Sequence, residues 1–92
     1  MIFRRSERFK HAFKILPASV QKKALKAFVL FAENPKHPSL QVKKIKGFED
    51  IWEVRIDRQY WYTFHYETLV DSSEIDCVFR NVDNHDECLK NP

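Results

Sequence analysis

The chain has 92 residues, 43% of them hydrophobic and 14% aromatic, with 16 Lys and Arg against 13 Asp and Glu and a formal charge of +3. That is the length of one domain, residues 1–92, with enough apolar material to close a core. A core this small leaves a modest margin, so cover from a partner matters more than in a large enzyme. No segment approaches the ~20 apolar residues of a membrane helix.

The charge is unevenly spread. Most lysines fall before residue 47, whereas the last third carries Glu67, Asp71, Glu74, Asp76, Asp83, Asp86 and Glu87. A basic face beside an acidic tail fits this asymmetry, and so does an ordinary solvated surface. The opening MIFRRSERFK lacks an apolar signal core, and Cys77 and Cys88 show no CxxC spacing. The expectation is a cytoplasmic protein with reduced thiols and no membrane partner.

After a short apolar start at Ile2 and Phe3, Ser6 can cap a helix in which Phe9, Phe13 and Leu16 recur at helical spacing. Pro17 breaks that helix and starts a second. There Leu25, Phe28, Val29 and Ala32 make one apolar stripe, with Lys22, Lys23 and Lys26 toward solvent. Asn34-Pro35 ends it, because the residue before proline is pushed out of the α region. Beyond Asn34–Pro38 the period changes from helical to alternating. Leu40–Ile45 reads as a strand ending in a turn at Gly47. Ile51–Ile56 follows, with Trp52, Val54 and Ile56 on one side and Glu53 and Arg55 on the other. Asp57–Gln59 is a hairpin turn, and Tyr60–Tyr66 returns with Trp61, Thr63 and His65 on one parity. Asp71, Ser72 and Ser73 turn the chain into a last strand, Ile75–Val82. Helices first and strands after predict an α+β fold, a helical hairpin on one face of an antiparallel sheet. The other face is expected to be bare, displaying Glu53, Arg55, Trp61 and His65.

Five blocks then resemble the RelE/ParE toxin superfamily: Asn34-Pro35-x-His37-Pro38-Ser39-Leu40, Lys43-Lys44-Ile45-Lys46-Gly47, Ile51-Trp52-Glu53-Val54-Arg55-Ile56, Tyr60 opening an aromatic strand, and Asn84-His85-Asp86. The resemblance spans nearly the whole chain. It implies a curved sheet under two helices and a cognate antitoxin as partner. In the RelE-like branch it implies entry into the ribosome and cleavage of messenger RNA, without cofactor or metal. In the ParE-like branch the same scaffold poisons DNA gyrase. A catalytically weak relative acting only through its antitoxin is a third reading, and DNA is reached only through that antitoxin. The His-Asp pair is more similar to the nuclease branch.

Cleavage by the ribose 2′-hydroxyl needs a proton acceptor, cations around the phosphorane-like transition state and a donor to the leaving oxygen. The resemblance puts His85 in the catalytic position after the last strand, where its near-neutral pKa suits an acid. It puts Arg55 at a basic strand position suited to clamping phosphate. Glu53 is a candidate base, and Lys46 with Lys43 and Lys44 a candidate backbone clamp. Arg58 and Arg80 are further RNA-binding candidates. Trp61 stands where relatives carry Arg, and Leu89 where many carry Tyr or Phe; Trp61 can supply base stacking instead. Each residue also has a plainer reading. Glu53 and Arg55 fit a surface ion pair, the lysines an edge-protecting cluster, and His85-Asp86 the start of a helical turn. His37 shapes its Pro-bracketed loop, His65 is half-buried in a strand, and His11 faces solvent. Cys77, His85 and Cys88 lack the number and spacing of a zinc site.

Overall fold

The computed structural model describes residues 2–68 and 73–92. Ile2–Arg5 forms β1, and Ser6 turns the chain into α1, Glu7–Lys14. The Ser6 N–H donates to the Phe79 carbonyl at 3.0 Å, while its hydroxyl oxygen accepts from the Phe9 amide at 3.1 Å. One residue thus closes a strand and caps a helix. Pro17 is the N-cap of α2, Ala18–Glu33, and its carbonyl accepts from the Val20 and Gln21 amides at 2.9 and 3.0 Å. The helix stops at Asn34, ahead of Pro35, as the sequence predicts.

His37 shapes the next loop: its Nδ1 accepts from the Ser39 amide at 3.2 Å, opening a 3-10 turn over Pro38–Leu40. The strand expected over Leu40–Ile45 shrinks to β2, Lys43–Lys44. Leu40 belongs to the turn, and Gln41 sits in the left-handed region at φ 46°, which interrupts extended backbone. β3 is Trp52–Arg55, β4 Tyr60–Thr68 and β5 Ile75–Asn84, followed at once by α3, His85–Lys90. Of the turn expected at Asp71, Ser72 and Ser73, the first two residues lie outside the described ones.

The sheet order is β1-β5-β4-β3-β2. β2 to β5 pair antiparallel, but β1 runs parallel to β5, with Phe3 opposite Cys77, so the sheet is mixed rather than antiparallel throughout. Alternation reports which face a residue takes and is blind to strand direction. A parallel pair needs a long crossover, and here the whole intervening chain provides it.

One face of the sheet presents Val54, Tyr62, Phe64, Cys77, Phe79 and Val82 to the helices. Between Thr63 and Phe64 the pairing with β5 slips by a residue, from Thr63–Asn81 to Phe64–Phe79. Arg80 is the extra residue of this bulge, which lets Phe79 and Val82, three apart, both face the core. From α2 the core takes Val20, Ala24, Ala27 and Phe31, correcting the expected stripe: Leu25, Val29 and Ala32 are exposed. Both stripes satisfy a helical period. The alanines win because they let α2 approach closely enough for Phe28 to stack on Phe79 at 5.3 Å and meet Tyr62 edge-on at 4.9 Å. Each large side chain buried this way contributes about 1.5–3 kcal/mol.

The second face is not bare, as the sequence had suggested. Asn84 Oδ1 accepts from the Glu87 amide at 3.1 Å and starts α3 directly at the end of β5, folding the chain back over the sheet. Asn81 Nδ2 donates to the Asn91 carbonyl and Arg80 Nε to the Pro92 carbonyl, both at 3.1 Å, fastening the following residues. Beneath this cover Glu53 keeps only 2% exposure and Trp61 8%, with Thr63 and Asn81 also buried. The cysteines fall on opposite sides. Cys77 is in the core under the helical hairpin, and Cys88 lies below α3 with its thiol donating to the Trp61 carbonyl at 3.3 Å. They therefore converge neither on each other nor, with His85, on one point.

Candidate functional site

The predicted site residues separate into three places. In the first, β2 and β3 set Lys43 opposite Glu53, and Lys43 Nζ lies 3.3 Å from Glu53 Oε1. This is the ion pair Glu53 makes, in place of the pair with Arg55 that strand parity offered. Lys44 Nζ sits 5.5 Å above the Trp52 ring and 3.6 Å from Asp50 Oδ1. Lys46 has no ion pair among the described residues. Lys43, Lys44, Lys46, Ile45, Phe48, Glu53 and Leu89 together line a hollow of about 420 Å³. Its character is cationic, with one buried carboxylate at the bottom.

In the second, α3 begins with His85, whose backbone N–H donates to the Gln59 carbonyl at 2.7 Å. That bond ties the start of the helix to the β3–β4 turn. The turn itself is fixed by Asp57, whose Oδ1 accepts from the Gln59 and Tyr60 amides at 2.8 Å each. Burial alone raises the Asp57 carboxyl, but those amides and the Lys23 ammonium outweigh it and hold it below the usual carboxylate range. The imidazole of His85 packs on Trp61 with ring centroids 5.0 Å apart. Arg58, Gln59, Tyr60, His85, Asp86 and Lys90 surround an open hollow of about 730 Å³ here.

The two hollows flank one short helix. His85 and Leu89 are four residues apart on α3, hence one turn, roughly 6 Å, along the same side. Leu89 forms a wall of the lysine hollow and His85 a wall of the other. A polyanion laid across α3 meets Lys43, Lys44 and Lys46 at one end and, at the other, Arg58 and His85 beside Asp86 and the Lys90–Glu87 ion pair, 3.3 Å from Nζ to Oε1.

The third place holds Arg55, which the structure does not bring to either hollow. β3 stops at Arg55, and its Nε donates to the Asp57 carbonyl at 3.2 Å. The side chain turns toward α2, where it lines a groove with Lys22, Lys23 and Lys26. Trp61 is likewise corrected as a stacking platform. It is buried under His85 and offers no free ring face to a base. Arg80 is engaged elsewhere, with Nη1 2.8 Å from His65 Nδ1. Because a guanidinium only donates, that imidazole nitrogen accepts, leaving His65 Nε2 to donate to Glu67 Oε1 at 2.9 Å. Lys90 was not anticipated as part of the site. The signal for it is Asn84 ahead of Asp86 and Glu87, a capped helix start that folds Lys90 back toward the β3–β4 turn.

The sequence matches no family model and no curated protein. The structure does have counterparts. It is similar to the YoeB/ParE toxin from Agrobacterium tumefaciens, with a TM-score of 0.71 at 13% identity over 92% of this chain and 99% of that one. It is similar to a chain of the RelB–RelE antitoxin–toxin complex from Methanococcus jannaschii, with a TM-score of 0.66 at 19% identity over the full length of both. YafQ from E. coli matches with a TM-score of 0.70 at 11% identity, over 92% of this chain and 93% of that one. Helical hairpin, mixed five-stranded sheet and short closing helix together give this chain the fold of the RelE-like toxins.

Proposed function

We propose that the chain is the toxin of a toxin–antitoxin pair, and that it cuts messenger RNA on the ribosome in the cytoplasm. The observation that carries this reading is His85 at the first turn of α3, accessible at its edge, with cations on both sides along the helix. Lys43, Lys44 and Lys46 hold one stretch of phosphodiester backbone, and Arg58 with Lys90 holds the next. The 2′-oxygen attacks the adjacent phosphorus, and the bond from phosphorus to the 5′-oxygen breaks. His85 gives its proton to that leaving oxygen, and the 2′-hydroxyl gives its own to water; Glu53, buried and paired with Lys43 in the other hollow, is not the base that the sequence offered. The cations stabilise charge on the non-bridging oxygens. RelE and YafQ have each been crystallised in complex with an antitoxin, RelB and DinJ, which supports a protein partner here too.

The test is mapping of messenger-RNA ends in a reconstituted translation reaction containing the purified chain. New 5′ ends inside translated codons are expected with the wild type, and His85→Ala lowers their rate by about 10²–10⁴-fold. Uncut RNA in the wild-type reaction rules the reading out. If the same protein then inhibits gyrase supercoiling, the ParE-like reading takes its place.

A further inference from the structure

The β3–β4 hairpin closes on its backbone: the Ile56 and Asp57 amides both donate to the Tyr60 carbonyl, at 2.9 and 3.2 Å. The Asp57 carboxylate is not needed for that closure. It works inside the turn, where its Oδ1 accepts from the Gln59 and Tyr60 amides at 2.8 Å each. The Tyr60 N–H and the Gln59 C=O belong to one peptide group, planar and trans, so they point in opposite directions. Holding the first aims the second. The Gln59 carbonyl thereby faces the start of α3 and accepts from the His85 amide at 2.7 Å. Asp57 is itself held by two cations. Lys23 Nζ of α2 lies 3.4 Å from its Oδ2, and Arg55 Nε donates to its carbonyl at 3.2 Å.

We infer that Asp57 is a positioning residue for the proposed cleavage, its carboxylate orienting the Gln59–Tyr60 peptide group that seats the main chain of His85. The inference rests on the reading of His85 as the acid. Asp57 lines neither hollow, so it touches neither the RNA nor the reacting atoms. Its leverage is geometric. Trp61 supports the imidazole of His85 and the Gln59 carbonyl fixes its backbone, so the ring is placed from both ends. Losing one support lets the proton donor stray from the leaving oxygen, and a displacement of about 1 Å costs about 10²-fold in rate. Arg58 sits in the same turn and lines the hollow with His85, so one carboxylate sets a phosphate-binding cation and the acid together. Arg55 and Lys23 act on the site at one remove, by bracing Asp57. An aspartate that merely closes a turn affects stability alone, whereas a positioning one affects rate in protein that is still folded.

The experiment is the reconstituted translation reaction with wild type, Asp57→Ala and Asp57→Asn, at a temperature where melting curves show each fully folded. Asp57→Ala lowers the maximal cutting rate by about 30–100-fold and moves the half-saturating concentration of programmed ribosomes by less than about twofold. Asp57→Asn keeps an oxygen for the two amides and restores the rate to within about threefold of wild type. Hydrogen exchange at the His85 amide of the free proteins follows the same order, about tenfold faster in Asp57→Ala than in wild type. If Asp57→Ala does not fold, Asp57→Glu replaces it: the charge stays, the oxygens move by one carbon, and the same fall in rate is expected. Wild-type cutting by the folded variant overturns the inference, while a slow His85→Ala in the same assay keeps the reading of His85 standing. Asp57→Asn as slow as Asp57→Ala also overturns it, as does a changed half-saturation at unchanged maximal rate. A wild-type chain that does not cut overturns the cleavage reading and the inference together.

Discussion

The imidazole of His85 rests on the indole of Trp61, centroids 5.0 Å apart and planes inclined by 44°. The tryptophan is buried and the histidine sits at an open rim, so one ring is a support and the other is presented. Trp61→Ala removes the support and a core aromatic together, costing about 3–5 kcal/mol. Trp61→Phe keeps a ring in place and costs about 1 kcal/mol. His85→Ala leaves thermal stability nearly unchanged but slows RNA cleavage by about 10²–10⁴-fold. Melting temperatures and cleavage rates measured on the same preparations check this; a His85→Ala rate equal to wild type removes His85 from the chemistry.

Lys43 and Glu53 form an asymmetric pair, an exposed ammonium over a buried carboxylate. Lys43→Ala strands that carboxylate and costs about 1–3 kcal/mol, more than loss of an ordinary surface lysine. Glu53→Gln should recover part of the loss in the Lys43→Ala background. Urea denaturation of the four proteins in the cycle gives a coupling of about 0.5–3 kcal/mol if the pair is real.

Tyr62 is fully buried, and its hydroxyl has no hydrogen-bond partner among the described residues. Burial also pushes its ionisation far above the usual phenol value. The hydroxyl was desolvated without return, so Tyr62→Phe is neutral or stabilising by about 1 kcal/mol. That corresponds to a rise of roughly 4–8 °C in Tm for a domain of this size. A clear drop in Tm would show that the oxygen is bonded in solution.

Asp57 is held below its ordinary value of 3.8 in the folded chain, so folded protein binds its proton less readily than unfolded. Its contribution to stability is complete above that value and disappears as pH falls through the depressed folded one. Asp57→Asn keeps an oxygen for the Gln59 and Tyr60 amides and isolates the charge. The variant should be less stable than wild type at neutral pH, and the gap should close in acid. Urea melts at several pH values measure this, and a gap independent of pH contradicts it.

Burial pushes both thiols up to about 12, which leaves almost no thiolate near neutrality. Native protein treated with iodoacetamide at pH 8 should stay unmodified, and denatured protein should take two groups by mass spectrometry. Rapid labelling of Cys88 alone would mean that α3 opens often.

The residues that announced the fold are the ones with local physical consequences. Ser6, Pro17 and Asn34-Pro35 act on their own backbone, so both helices of the hairpin were legible. Alternation from Trp52 to Tyr66 likewise predicted two strands and their faces. The phase of α2 was not legible, because its two apolar stripes are equally periodic and only contact with the sheet chooses between them. Nor was the position of Arg55, which depends on where β3 ends and the turn takes its guanidinium. Glu53 and Trp61 were rightly placed on the face away from the helical hairpin but wrongly read as exposed, since burying them takes six residues of α3 from far along the chain.

β1 joins the sheet beside β5, so the first strand made must wait for the last before it has a neighbour. Contacts of such sequence separation slow folding, since chain closure is paid for before pairing rewards it. During synthesis the amino-terminal strand stays unpaired until Asp76 to Phe79 leave the exit tunnel. The strand made first is thus an open edge for most of synthesis, and its register, from Ile2 opposite Asp76 to Arg5 opposite Phe79, is set late.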